Sequence, residues 1–188
     1  MKMKKIIVGL TGASGVVYGI RLLDIVRSSN LFEIHLIISE SAKKVISLET
    51  NCPLNQIEEK ADFVYSNQDQ SSVISSGSFI TSGMIVVPCS IKTLSGIENS
   101  YNDCLIVRAA DVVLKEKRNL VLCVRETPFH LGHIKLMEEL LKRGAVVFPL
   151  IPSFYNKPNC ISDIVDQTVY RILDQIGIFL ENSIRYKG

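Results

Sequence analysis

Short apolar runs recur along the chain and alternate with longer stretches in which apolar residues follow a helical spacing. Runs of this length without a polar face are typical of strands that are buried on both faces. They occupy residues 6–10, 34–38, 84–87, 120–124 and 145–150. The pattern predicts a parallel sheet that is covered on both sides.

The stretches between the runs predict the helices that cover this sheet. Val16, Ile20 and Leu23 share one face of a predicted helix over residues 16–26. Further helices are predicted over residues 39–48, 105–117, 134–142 and 161–180, and Gly144 stands where a helix-ending glycine is expected. This alternation predicts an α/β fold, a doubly wound parallel sheet of the flavodoxin-like or Rossmann-like kind. At 188 residues, the chain fits a single domain over residues 1–188.

The segment over residues 51–83 fits the alternation least well. It contains Ser71-Ser72, Ser75-Ser76-Gly77-Ser78 and Ser82-Gly83, with only short apolar pieces between them. It is either a linker or a functional loop over the site. The second interpretation is at least as good, because long structureless loops are uncommon in compact domains.

Composition and charge exclude several classes of protein. Hydrophobic residues make up 47% of the chain and charged residues 21%, which is a globular balance. The net charge of +2 is too small to predict a nucleic acid or an anionic membrane as the main partner. No apolar run has the length of a membrane span, and a turn over residues 12–15 ends the first run, so we expect no signal peptide and a cytoplasmic protein.

The five cysteines are widely spaced and form no C-x-x-C pair. Neither a zinc site nor a disulfide framework is therefore predicted, and reduced thiols are expected. Cys123 lies in an apolar run and is predicted to be part of the core. Cys89 stands at a strand end, where a reactive role is conceivable, but a core role is the preferred interpretation.

Glycines, hydroxyls and charges follow every predicted strand. They are Thr11-Gly12-Ala13-Ser14-Gly15, Ser39-Glu40-Ser41, Pro88-Cys89-Ser90-Ile91-Lys92-Thr93, Arg125-Glu126-Thr127-Pro128 and Pro152-Ser153-Phe154-Tyr155. Ligands of an open parallel sheet bind outside the carboxyl ends of its strands, so these residues are predicted to form the site. Helix-opening turns, hydroxyl donors and the cations Lys92 and Arg125 favour a phosphate ligand. Gly12 and Gly15 match neither the dinucleotide nor the Walker pattern, and turns or packing explain them equally well.

Several other residues have an ordinary interpretation. His130 and His133 lie three apart at a helix start, but without a third ligand a capping or surface role is preferred to a metal site. His35 is predicted to be a buried or edge histidine within its strand. By themselves, Lys115 in a charged run and Glu49 near a helix end would be surface residues.

The ordered set of motifs closely resembles the UbiX-type flavin prenyltransferases, within the wider family of flavin-dependent decarboxylase-like proteins. The set comprises Thr11-Gly12-Ala13-Ser14-Gly15, Pro88-Cys89-Ser90-Ile91-Lys92-Thr93-Leu94, Arg108-Ala109-Ala110-Asp111-Val112, Leu114-Lys115-Glu116, Arg125-Glu126-Thr127-Pro128 and Phe154-Tyr155. Each motif alone is modest, but the ordered set is specific, and the likeness runs from Ile6 to Tyr186.

The resemblance implies a flavodoxin-like fold, a dodecamer and sites at subunit interfaces. It implies transfer of a dimethylallyl group, from the monophosphate or the diphosphate, to N5 and C6 of reduced FMN without a metal. The product would serve a partner UbiD-type decarboxylase.

The resemblance also assigns roles to residues of this chain. FMN would contact Gly12, Ala13, Ser14, Ser39, Ser90, Ile91, Lys92, Thr93 and Arg125. Dimethylallyl phosphate would be held by Lys115, Arg125, Tyr155 and Arg171. Glu126, Glu49, Ser14 and Lys115 would take part in catalysis, the two carboxylates near the reacting centre.

Three departures from the family pattern concern substrate choice more than the reaction. Val124 replaces a frequent proline, Lys135-Leu136 replaces a usual Glu-Asn, and Tyr186 replaces a tryptophan.

Two alternatives are an FMN-dependent decarboxylase of a cysteine derivative and a non-catalytic flavin carrier subunit of a decarboxylase. The first relies on a histidine that residues 11–18 lack, and the second needs no cage for a prenyl phosphate.

Overall fold

Six parallel strands form one sheet in this computed structural model, which describes residues 3–180. The strands are β1 (Lys4–Leu10), β2 (Phe32–Ile38), β3 (Phe63–Ser66), β4 (Gly83–Cys89), β5 (Asn119–Val124) and β6 (Val146–Val147). Their order across the sheet is β3-β2-β1-β4-β5-β6, with every neighbouring pair parallel. The order reverses between β1 and β4, which is where a doubly wound sheet opens its binding crevice. The predicted fold class is confirmed.

Within residues 3–180, seven helices connect and cover the strands. They are α1 (Val16–Ser29), α2 (Glu40–Glu49), α3 (Leu54–Glu58), α4 (Ile91–Glu98), α5 (Leu105–Lys115), α6 (Leu131–Lys142) and α7 (Ile161–Gln175). Alternate strand residues point to opposite faces. Ile6, Val8 and Leu10 of β1 face α1, α2 and α7, whereas Ile7 faces the layer of α4, α5 and α6. Both faces are therefore covered, which explains why β1 is apolar from Ile6 to Leu10 and β4 from Met84 to Cys89.

The predicted end of α6 is correct, and a glycine sets it. Gly144 has φ +91°, and the amide of Ala145 donates to the carbonyl of Leu140 at 3.0 Å, which closes α6. The final helix ends at Gln175 and not at residue 180, because Gly177, with φ +79°, makes the same kind of turn.

The prediction fails most within residues 51–83. This segment contains α3, the edge strand β3 and a 3-10 turn over Val73–Ser75, none of which was predicted. Strand β3 is only four residues long, and Phe63 and Val64 are exposed, so it lacks the buried apolar run that marks the other strands. The short helix α4 was missed as well. Strand β6 is shorter than predicted, although the amides of Phe148 and Leu150 still donate to β5.

Candidate functional site

Thr11 joins the two strands on either side of the point where the strand order reverses. Its hydroxyl donates to the carbonyl of Pro88 at 2.7 Å and accepts from the amide of Ser90 at 2.9 Å. Thr11 is buried, so the ends of β1 and β4 are held together by bonds that water does not weaken. The loops that follow the two strands are thereby fixed side by side.

Serines at the carboxyl edge begin two of the helices. Ser39 accepts from the amide of Ala42 at 3.1 Å at the start of α2, and Ser90 accepts from the amide of Thr93 at 3.3 Å at the start of α4. Between them opens a cavity of about 590 Å³. Its lining includes six of the residues expected at the strand ends or beside them: Ser39, Glu40, Ser41, Ser90, Lys92 and Thr93. Two helix starts, several hydroxyls and a lysine around one cavity suit a phosphate-bearing ligand.

The start of α1 is organised differently. Glu49 at the end of α2 accepts from the amides of Gly15 and Val16, at 2.9 and 3.3 Å. Burial acts to raise the pKa of Glu49, but hydrogen bonds from Ser14, Gly15 and Val16 and the charge of Arg125 outweigh it and lower the pKa. A carboxylate of the chain itself thus occupies the helix start that we expected to receive a phosphate. The helix starts of α2 and α4 remain for the ligand.

Gly12 has a packing role. A Cβ atom at this position would lie 2.3 Å from Cβ of Ser41, so only glycine lets the turn after β1 approach the start of α2. The packing interpretation of this glycine is supported.

Arg125 and Glu126 follow β5 at the same edge of the sheet. The amide of Arg125 donates to the carbonyl of Cys89 at 3.2 Å, which ties this loop to the end of β4. Half-buried Glu126 accepts from the amide of Thr127 at 3.0 Å. Because Arg125 lies close enough to Glu49 to lower its pKa, the structure brings Ser14, Glu49 and Arg125 together.

The remaining sequence candidates have the ordinary roles that we preferred for them. Burial raises the pKa of Cys89 to about 12, so this thiol is not a nucleophile. His130 accepts from the amide of Gly132 at 3.0 Å and caps α6. His35 is buried within β2. Among residues 3–180 no group of three His, Cys, Asp or Glu side chains is placed to hold a metal ion, and no helix is long and apolar enough to cross a membrane.

Comparison with known proteins places the chain in a family. A model of the Flavoprotein family matches residues 1–173. The flavin prenyltransferase UbiX of Escherichia coli K12 is 51% identical over 188 residues, which cover 99% of this chain and 100% of that protein. The chain belongs to the UbiX-type flavin prenyltransferases.

Solved structures of UbiX-type proteins share the fold throughout. AnUbiX (PadA1), crystallised in complex with FMN and dimethylallyl pyrophosphate, has a TM-score of 0.97 and 42% identity, covering 100% of this chain and 99% of its own. A dodecameric FMN-dependent UbiX-like decarboxylase from Escherichia coli O157:H7 has a TM-score of 0.95 and 47% identity, covering 98% of this chain and 100% of its own.

Two of the residues expected to hold the prenyl phosphate lie far from the cavity in the same chain. Lys115 ends α5, just before Asn119, which pairs with Gly83 at the amino ends of β5 and β4. Arg171 lies in the half of α7 that approaches this edge, since Ile176 packs near Gly83. A seven-residue strand spans about 20 Å. This chain therefore does not bring Lys115 and Arg171 to the cavity at its own carboxyl edge.

Of the four residues expected to hold the prenyl phosphate, exposed Tyr155 alone lies on the loop after β6, at the carboxyl side of the sheet.

The described residues that depart from the family pattern lie on β5 and α6. Val124 ends β5 as a buried residue, and Lys135 and Leu136 lie on α6. Tyr186 lies outside the residues that the structure describes.

The cavity also has a wall that the sequence did not predict. It consists of Asn67, Gln68, Asn99, Tyr101, Asp103 and Cys104. Asn67 follows β3, and its side chain and carbonyl accept from the amides of Ile106 and Leu105 at 3.1 and 2.8 Å. Recognising β3 as a strand would have identified Asn67, because every other strand end in this chain carries site residues.

Proposed function

We propose that this flavin prenyltransferase joins the dimethylallyl group of dimethylallyl phosphate to N5 and C6 of reduced FMN. In this proposal the residues at the carboxyl edge bind FMN. They are Gly12, Ala13, Ser14, Ser39, Ser90, Ile91, Lys92, Thr93 and Arg125. Lys115, Arg125, Tyr155 and Arg171 bind the phosphate of the second substrate, and the product passes to a UbiD-type decarboxylase.

The observation that carries the proposal is the cavity between the starts of α2 and α4. It presents hydroxyls and Lys92 at the point of strand-order reversal, in a chain that aligns over its whole length with a protein crystallised with FMN and dimethylallyl pyrophosphate. This cavity, next to Arg125 and Glu126, carries groups that recognise phosphate. It suits the phosphate of FMN better than a dinucleotide, because no dinucleotide glycine pattern precedes it.

The two new bonds make different demands on the protein. For the N5 bond, the lone pair of N5 bonds to the dimethylallyl carbon while the C–O bond of the ester breaks, and N5 then loses its proton. The electron pair of the C–O bond leaves with the phosphate, so the cations and the Tyr155 hydroxyl stabilise the departing oxyanion. For ring closure, the alkene takes up a proton, the resulting tertiary carbon bonds to C6, and the C6 proton is lost. A carboxylate next to the flavin is suited to carry these protons.

Glu126 is the better candidate for this proton transfer. Glu49 already accepts hydrogen bonds from two amides and from Ser14, and its lowered pKa makes it a weaker base. Glu126 makes a hydrogen bond to a single neighbouring amide and follows directly on Arg125. We assign Glu49 and Ser14 to shaping and polarising the site at the start of α1.

The proposal includes assembly, because Lys115 and Arg171 reach a flavin only in another copy. The dodecameric relative makes a symmetric assembly of this kind the natural expectation. We also propose that no metal is required and that the protein works in the cytoplasm. The cysteine decarboxylase alternative is not favoured, since the loop over residues 11–18 has no histidine. The chain also retains Glu126 and the cations proposed to bind the prenyl phosphate, which a non-catalytic flavin carrier subunit would not need.

Mass spectrometry of the released flavin tests the reaction. The purified protein is incubated anaerobically with reduced FMN and dimethylallyl monophosphate or, in parallel, the diphosphate. We expect a flavin heavier by one five-carbon unit, with the spectrum of a four-ring product. Recovery of unmodified FMN from both incubations would refute the proposal.

Dialysis against EDTA tests the metal-free interpretation. FMN affinity and product formation should be unchanged after dialysis, because hydroxyls, amides and side-chain cations supply the phosphate contacts. Loss of flavin binding that Mg²⁺ restores would contradict it.

A further inference from the structure

The serine- and glycine-rich residues 71–82 lie along α5, away from the cavity of their own chain. Ile74 in the 3-10 turn is buried in the same core cluster as Ile106 and Val113 of α5. At the far end of the segment, the Thr81 hydroxyl and the Ser82 amide both donate to the carbonyl of Lys5, at 2.9 and 2.8 Å. The segment is thus fixed at both ends and leads to the amino edge of the sheet.

The middle of the segment is clamped by Arg118. Its guanidinium donates to the carbonyls of Phe79 and Gly77, at 2.7 and 2.8 Å. The Phe79 ring meets His35 edge-on at 4.8 Å and lies 4.5 Å from the Lys5 ammonium. A planar guanidinium that binds two carbonyls fixes both the position and the orientation of the backbone between them.

Arg118 is itself held by the turn that ends α5. Lys117 has φ +54°, and the amide of Arg118 donates to the carbonyl of Val113 at 2.9 Å. The clamp and the helix end that carries Lys115 are therefore parts of one rigid unit.

Gly77 faces the ion pair at this helix end. Nζ of Lys115 lies 2.6 Å from Oε1 of Glu116. A Cβ atom at Gly77 would lie 2.2 Å from Oε1 of Glu116 and 2.9 Å from Nζ of Lys115. The backbone of Gly77 is outside the left-handed region, so its conformation does not require glycine. A larger residue at this position would instead displace the ends of the Glu116 and Lys115 side chains.

We propose that Gly77, clamped by Arg118, is a positioning residue for Lys115 in prenyl-phosphate binding. The proposal rests on the phosphate role of Lys115 in the proposed function. A lysine side chain has many rotamers, and ordering it only when the phosphate arrives weakens binding. Because Gly77 has no side chain, there is room for Glu116 to hold the ammonium of Lys115 in position before the substrate binds.

The Gly77→Ala variant tests this role in the full-length, assembled protein. The atoms nearest the new methyl group are the ends of flexible side chains, so the variant should fold and assemble while the ammonium moves. We expect KM for dimethylallyl monophosphate to rise about tenfold, the scale of one charge-assisted hydrogen bond. The value of kcat and the FMN dissociation constant should change by less than about twofold.

A double-mutant cycle separates positioning from general damage. In the Glu116→Ala background the closest atom is absent, so adding Gly77→Ala should raise KM by less than about threefold. Ser76→Ala is the control, since it alters the adjoining residue without adding an atom near Lys115, and its KM should match the wild type.

The outcomes distinguish this inference from the proposed function. If Lys115→Ala raises KM and Gly77→Ala does not, the positioning role is wrong and the role of Lys115 stands. If Lys115→Ala also leaves KM unchanged, the phosphate assignment in the proposed function fails, and the positioning role with it. Loss of FMN binding or of the assembled state in Gly77→Ala, or additive effects in the cycle, would make Gly77 a structural glycine and overturn the inference.

Discussion

The carboxyl and amino edges of the sheet differ in how they hold their charged residues. At the carboxyl edge, hydrogen bonds with backbone amides hold Glu49 at the end of α2 and Glu126 on the turn after β5, beside Arg125. At the amino edge, Lys115 ends α5 on an exposed surface and forms an ion pair with its neighbour Glu116. In the proposed mechanism the first edge binds the flavin within one chain, and the second serves the flavin of another copy. The two halves of a site can therefore be altered separately.

The largest effect is expected at the carboxyl edge, in Glu126→Gln. The amide keeps the shape and the hydrogen bond to Thr127 but cannot accept the proton that ring closure releases. Ring closure should slow by about a hundredfold or more, the scale of a lost acid–base group, while FMN affinity stays near the wild-type value. Single-turnover mass spectrometry should then show a flavin alkylated at N5 alone. The four-ring product at the wild-type rate would make Glu126 structural and Glu49 the next candidate.

Hybrid assemblies test whether the two edges meet between copies. Arg125→Ala should weaken FMN and phosphate binding and Lys115→Ala should weaken phosphate binding, each by about tenfold or more. If each site takes Arg125 from one chain and Lys115 from another, assemblies refolded from equal amounts of both variants should have about a quarter of their sites intact. If the mixture is no more active than the mean of the two separate variants, one chain supplies both Arg125 and Lys115 to each site.

A smaller effect is expected where the two strands at the crevice are joined. Thr11→Val keeps the volume but leaves the carbonyl of Pro88 and the amide of Ser90 without their buried partner. The free energy of unfolding should fall by about 2 kcal/mol, measured by urea denaturation, and FMN affinity should fall with it because the loops after β1 and β4 separate. Thr11→Ser, which retains the hydroxyl, is the control and should lose less stability and less FMN affinity.

The smallest effect concerns the cap at the start of α1. Glu49→Gln should lower the free energy of unfolding at pH 7 by about 1 kcal/mol, the usual value of a helix cap. The folded pKa of Glu49 is lowered, so its contribution is complete above the unfolded pKa of about 4.3 and is lost as the pH falls through the lower folded value. The stability difference should therefore shrink in acid. Glu59→Gln, at an exposed position away from any helix start, should change stability by less than about 0.5 kcal/mol. If the stability difference between the wild type and Glu49→Gln persists below the pKa of the Glu49 carboxyl, then Glu49 stabilises the protein without its charge.

Much of the fold could be predicted from the sequence because its signals are local. Buried strands such as residues 120–124 are apolar throughout, and Gly144 ends α6 where the spacing indicated. The site could be located for a similar reason, because parallel strands direct all their carboxyl ends to one edge. The edge strand β3 gave no such signal, since its side chains remain largely exposed.

The sequence by itself determined the fold class, the edge that carries the cavity and, through its ordered motifs, the family. Only the tertiary structure decided that Glu49 occupies the start of α1, 34 residues away from Gly15. It alone placed Lys115 at the opposite edge and set Gly77 against its ion pair. The physical reason is that a hydrophobic period records burial along one element. A contact between distant side chains depends on how separate elements pack and leaves no periodic trace in either of them.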